Sequence, residues 1–124
     1  MSAPDKYNVI FYETANGRCP SLDFLDQLPI KVGAKSHKWI EKLNELGPDL
    51  PRPYADVVQG KIRELRLMFA SNQYRFLYFF MGKTIVMTHG FVKKTDKVPY
   101  EELRYACKAF DDFNERFRRG EIEL

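Results

Sequence analysis

Three residue types that often carry chemistry are scarce in this chain: its 124 residues include two cysteines, two histidines and one tryptophan. Cys19 and Cys107 stand alone, with no Cys-x-x-Cys and no histidine at ligand spacing, so neither a zinc site nor a disulfide framework is indicated. The pattern reads as two buried or half-buried thiols in a reducing compartment. Long apolar runs are missing too. The longest, Phe76 to Met81, is far too short to span a bilayer, and Met1 to Lys6 holds no apolar signal core. The expectation is a cytoplasmic protein with no membrane partner. No internal repeat and no low-complexity segment occurs.

Aromatic residues are abundant, at 15%, beside an ordinary apolar fraction of 44%. That composition argues against disorder, and the length suits one domain over residues 1–124 with a full core. The stretch from Gly60 to Lys94 organises the rest. Ile62 to Phe69, Tyr74 to Phe80 and Thr84 to Lys94 are three β-branched and aromatic runs joined by short connections holding Asn72 or Gly82, the signature of an antiparallel meander. In the first run a pleat sends Leu65, Leu67 and Phe69 to a core and Glu64 and Arg66 to the opposite face. The second and third runs are apolar almost throughout, as central strands covered on both sides should be. Their polar exceptions, Arg75 in one and His89, Lys93 and Lys94 in the other, stand at strand ends where a meander could gather them. Charge is concentrated here: residues 61–97 hold eight Lys and Arg against two Asp and Glu, although the whole chain is only +3. A basic sheet in an otherwise slightly acidic protein points to a polyanionic partner such as nucleic acid, against the plainer reading of a solvated charged face.

Around the meander, Tyr7 to Tyr12 reads as an edge strand. Ser21 is an N-cap candidate for a short helix marked by Leu22, Leu25 and Leu28 and stopped by Pro29. A second helix runs from about Lys31 to Leu46, with Val32, Ser36, Trp39, Ile40, Leu43 and Leu46 along one side, and ends at Gly47-Pro48. Residues 47–60, with Pro48, Pro51, Pro53 and Gly60, read as a stiff loop. Pro99 suits the first turn of a last helix whose stripe is Leu103, Ala106 or Cys107, Phe110, Phe113 and Phe117. The order β-α-α-β-β-β-α describes an α+β domain with an antiparallel-rich sheet, helices packed mainly on one face and the other face partly open.

In their order along the chain, Phe24-Leu25 before Leu28-Pro29, Leu46-Gly47-Pro48, Glu64-Leu65-Arg66, Tyr74-Arg75-Phe76, His89-Gly90-Phe91-Val92-Lys93-Lys94 and Pro99 make the sequence resemble the phage-derived Gp49-like, HigB-like toxins of the RelE/ParE superfamily. The resemblance implies a RelE-like fold. It also implies the toxin half of a type II toxin–antitoxin system: a metal-independent endoribonuclease, needing no cofactor, that cuts mRNA on the ribosome and so inhibits translation. The implied partners are mRNA and the ribosome, and a cognate antitoxin, usually a helix-turn-helix protein, through which alone operator DNA is bound. The same scaffold also carries gyrase-directed ParE-like toxins, so fold alone does not fix the target.

Metal-free RNA cleavage needs the 2′-hydroxyl deprotonated, the charge on the pentacovalent phosphate stabilised and the 5′-oxygen protonated. By resemblance, Arg66 and Arg75 match a phosphate-gripping pair, and Lys93 and Lys94 the basic residues beside the scissile bond. Guanidinium groups suit that grip because they stay charged and bind phosphate oxygens bidentately. Tyr100 falls where the superfamily often has a tyrosine that orients the hydroxyl or stacks on a base. Lys61 and Arg63 are expected on flanking phosphates. Glu64 is a general-base candidate or the partner of a neighbouring arginine. His89 is a further RNA-binding candidate with the right pKa for acid or base work, although its apolar strand favours a packed histidine over a catalytic one; His37 reads as surface. A noncatalytic module holding nucleic acid or an acidic peptide on the same basic face is the alternative from the residues themselves.

Overall fold

The structure, a computed structural model, describes residues 6–124. Five strands form one mixed sheet in the order β1-β5-β4-β3-β2. The edge strand β1 (Asn8–Phe11) pairs in parallel with β5 (Thr84–Lys93), while β2 (Ala55–Gln59), β3 (Ile62–Phe69), β4 (Asn72–Met81) and β5 pair antiparallel in succession. The meander takes the expected course. Ala70 and Ser71 connect β3 to β4 with φ of 49° and 72°, the left-handed pair that a two-residue hairpin turn requires to match strand twist. Gly82, φ 60°, serves the next turn without a side-chain penalty.

Strand β2 replaces the last part of the loop expected over residues 47–60. Its sequence, Ala55-Asp56-Val57-Val58-Gln59, is too short and polar to announce a strand, but hydrogen bonding to β3 across the Gly60-Lys61 turn gives its backbone groups partners. The edge position explains the polarity: Val57 and Gln59 remain exposed.

Strand alternation divides the sheet into two faces. On the first, Leu65, Leu67, Phe76, Tyr78, Ile85 and Met87 pack under α1 (Pro20–Gln27) and α2 (Ile30–Leu46) through Leu25, Val32, Ile40 and Leu43. On the second, Ile62, Leu77, Phe79 and Val86 meet Ala106, Ala109 and Phe113 of α3 (Tyr100–Arg118). Two of the three helices thus share one face, and α3 covers only part of the other. Helix α1 begins at Pro20 rather than after an N-cap Ser21, because proline's fixed φ suits the first helical position. Ser21 is instead buried, its hydroxyl donating to the Met87 carbonyl at 3.3 Å. Gly47, φ 53°, closes α2, and Pro99 sits one residue before α3. Cys19 is half-buried, whereas Cys107 is exposed on α3 rather than covered; neither is in a disulfide. Among the described residues no helix is long and apolar enough to cross a membrane.

Candidate active site on the open sheet face

Running out from beneath α3, the second face holds three successive cross-strand rows, the first of them still covered by the helix at Leu77 and His89. Asp56, Glu64, Leu77 and His89 form one, Arg66, Arg75 and Phe91 the next, and Met68, Gln73 and Lys93 the last. The amide of Arg66 turns away from β4 to donate to the Tyr54 carbonyl at 2.8 Å. Arg66 and Arg75 are therefore a non-hydrogen-bonded pair, the kind whose side chains stand closest. Glu64 lies between them. Its Oε1 accepts from Arg66 Nε at 2.5 Å and lies 3.5 Å from Arg75 Nε, and Arg66 also reaches Asp56 at 3.3 Å. Two like charges side by side are tolerable only with such a counter-charge.

The two arginines are not equivalent. Arg75 is 6% exposed, its guanidinium donating to Gln73 Oε1 at 2.9 Å and to the Tyr74 carbonyl at 3.1 Å. Burial first, and Arg66 further, pulls its pKa below the usual arginine range against the pull of Glu64. The Arg66 side chain is 30% exposed and forms a wall between two recesses. One, about 330 Å³, is lined by Glu64, Arg66, Lys93, Asp96 and Lys97. Lys93 thus faces the arginines, and burial, followed by Arg75, holds its pKa below the ordinary lysine value. The second oxygen of Glu64 is buried and accepts no hydrogen bond.

Two of the expected residues, Arg63 and Lys61, lie elsewhere. Arg63 has the opposite strand parity from Arg66 and occupies the helix-covered face, its guanidinium 5.5 Å from the centre of the Phe80 ring. Lys61, at the far end of β3, sits 5.8 Å over Phe110 of α3. Lys94 follows the last residue of β5 and is exposed, and Tyr100 opens α3 at 73% exposure. His89 shares the face but is separated from Glu64 by Leu77, about two strand spacings or roughly 10 Å away. It is buried, with Nε2 3.0 Å from Glu102 and Nδ1 3.0 Å from the Thr88 hydroxyl, and Tyr105 packs edge-on at 4.7 Å. Burial holds its pKa down in spite of Glu102. These contacts match a packed, hydrogen-bonded histidine and not the expected RNA-binding one, both ring nitrogens being engaged within the protein, and His37 is exposed on α2.

Asp56, Gln73 and Lys97 join the cluster without having been singled out in the sequence. Register exposes the first two: Asp56 faces Glu64 across β2–β3, and Gln73 faces Lys93 across β4–β5, whereas Lys97 reaches the recess from the loop after β5. Among the described residues no group of three or more His, Cys, Asp and Glu is placed to hold a metal ion. The arrangement is suited to gripping an anion at Arg66 and Lys93 with a carboxylate beside it. Compared with known families, residues 23–111 match the profile described as phage derived protein Gp49-like (DUF891). No curated protein matches.

Proposed function

This chain belongs to the phage-derived Gp49-like family, a toxin-like family of the RelE/HigB type, and on that premise we propose that it is the toxin of a type II toxin–antitoxin pair, an endoribonuclease acting on translated mRNA without a metal ion. The observation that supports this reading is the meeting of Arg66, Arg75, Glu64 and Lys93 on one open face. Arg66 grips the non-bridging oxygens of the scissile phosphate, with Arg75 beneath it fixing Glu64 and adding positive potential. Glu64, released from Arg66 as the phosphate replaces it, takes the proton of the 2′-hydroxyl. The 2′-oxygen bonds to phosphorus as the bond to the 5′-oxygen breaks, and Lys93, its pKa already lowered, protonates the leaving oxygen. The products are a 2′,3′-cyclic phosphate and a 5′-hydroxyl. A cognate antitoxin completes the system, with a helix-turn-helix protein as the expected kind.

End mapping of RNA from a translating mixture containing the purified chain tests this chemistry. Cyclic phosphate and 5′-hydroxyl ends at the cut sites are expected; 5′-phosphate ends would contradict it. A noncatalytic anion-binding surface is the second reading, favoured by the engagement of Arg66 with both Glu64 and Asp56. It calls for steeply salt-dependent RNA binding with every message left intact.

A further inference from the structure

The recess on the other side of Arg66 is not used by the chemistry above. It opens where β2 stops: beyond the Tyr54 carbonyl, the outer edge of β3 at Leu67 and Met68 has no strand beside it, and α2 supplies the opposite wall through Lys35 and Trp39. The cavity is about 290 Å³, at the small end of the range for ligand sites, on the order of 300–1,000 Å³.

Its lining combines three kinds of group. Trp39 and Tyr54, from different elements, stack with ring centres 4.3 Å apart and planes 20° from parallel, Tyr54 being 40% exposed. Lys35, Arg66 and Arg75 are cationic, and no carboxylate lines the cavity. The Met68 backbone provides hydrogen-bonding groups: its carbonyl accepts from Lys35 Nζ at 2.5 Å, and by strand alternation its amide points out of the same open edge. A flat aromatic surface, adjacent edge donors and a cationic lining free of carboxylates together fit a planar heterocycle carrying a phosphate. An acidic peptide would use the cations but not the stacked rings.

We propose that this recess is a nucleotide pocket in which a base next to the cut stacks on the Trp39–Tyr54 pair while its phosphate meets Arg66. The inference rests on the reading of the chain as RNA-acting and names the part of the site that chooses the base. Lys35 and the Met68 amide read the base edge.

Trp39 is the only tryptophan, so intrinsic fluorescence reports on the pocket directly. The purified chain is titrated with the four nucleoside 5′-monophosphates, with ribose 5-phosphate and with inorganic phosphate. Saturable changes are expected with the nucleotides at concentrations about tenfold or more below those needed for ribose 5-phosphate, the factor one base–aromatic stack represents. Tyr54→Ala weakens nucleotide binding about tenfold, whereas Tyr54→Phe, which keeps the ring, restores it. Equal binding of ribose 5-phosphate and nucleotides, or no response to either, overturns the proposal. In a translating mixture, cuts by Tyr54→Ala with the same base preference as the unaltered chain would also overturn it while leaving the ribonuclease reading in place. Nucleotide binding at Trp39 by a chain that cuts no message supports the pocket and removes the ribonuclease.

Discussion

Arg66 and Arg75 face the same carboxylate, and substituting either disturbs it. Arg75→Ala would leave Glu64, 3% exposed, without its buried partner, and breaking a buried pair costs about 3–5 kcal/mol. Arg66→Ala removes the hydrogen bond that Glu64 Oε1 accepts and leaves that buried carboxylate only Arg75 Nε at 3.5 Å, so it too weakens a buried pair. Loss of activity in either variant therefore reports on chemistry only when compared at equal amounts of folded protein. Lys93 offers a second handle. If it protonates the leaving oxygen, activity should fall as pH rises through a pKa below the ordinary lysine value of about 10.4. Lys93→Arg should keep RNA binding but reduce the cleavage rate by about 10²–10⁴ and abolish that alkaline limb, as a pH–rate profile would show. An unchanged profile would remove Lys93 from the proton transfer. At this scale the sequence was legible wherever strand parity decided: Glu64 and Arg66 share a face because they are two residues apart. Arg63 shows the converse, since sequence proximity grouped it with residues that point the other way.

Elements were legible in proportion to their apolar regularity. Strands β3, β4 and β5 and the bounds of α2 follow from β-branched and aromatic runs and from Gly47. Strand β2 did not, because its partner supplies what its own residues lack. The packing between elements gives a paired prediction. A Cβ at Gly90 would run into the rings of Phe24 on α1 and Phe76 on β4, whereas one at Gly33 on α2 meets nothing within 4 Å. Gly90→Ala should destabilise by about 1–3 kcal/mol through overpacking. Gly33→Ala should stabilise by about 0.5–1 kcal/mol through helix propensity. Urea denaturation of the two variants reads both signs; a neutral Gly90→Ala would mean that α1 does not press on β5.

For the whole molecule, the open face exists because α3 is anchored at one end of the sheet. Tyr12 donates to Asp112 at 2.5 Å, and Arg116 donates to the same carboxylate at 2.8 Å and to the Glu13 carbonyl at 2.5 Å, tying the last turns of α3 to the end of β1. The hydrogen bonds from Tyr12 and Arg116 outweigh desolvation and hold the Asp112 carboxyl below its usual pKa, while burial and Asp112 push the Tyr12 hydroxyl up to about 12. A carboxyl with a lowered folded pKa contributes stability above its unfolded value and loses it as pH falls through the folded one. Asp112→Asn should therefore be less stable than the unaltered chain at pH 7, with the gap closing below about pH 4; a gap constant with pH would show that the charge of Asp112 does not matter. The placement of α3 across the second face was not legible, because an amphipathic stripe says that a helix packs without saying on which side.

The central claim is that the Arg66 cluster cuts translated RNA. Primer extension on one abundant translated message, from cells expressing either the unaltered chain or Arg66→Ala at equal soluble levels, tests it most directly. The account predicts discrete stops inside the coding region with the unaltered chain and none with Arg66→Ala. Intact message in growth-arrested cells, or the same stops from Arg66→Ala, would contradict it.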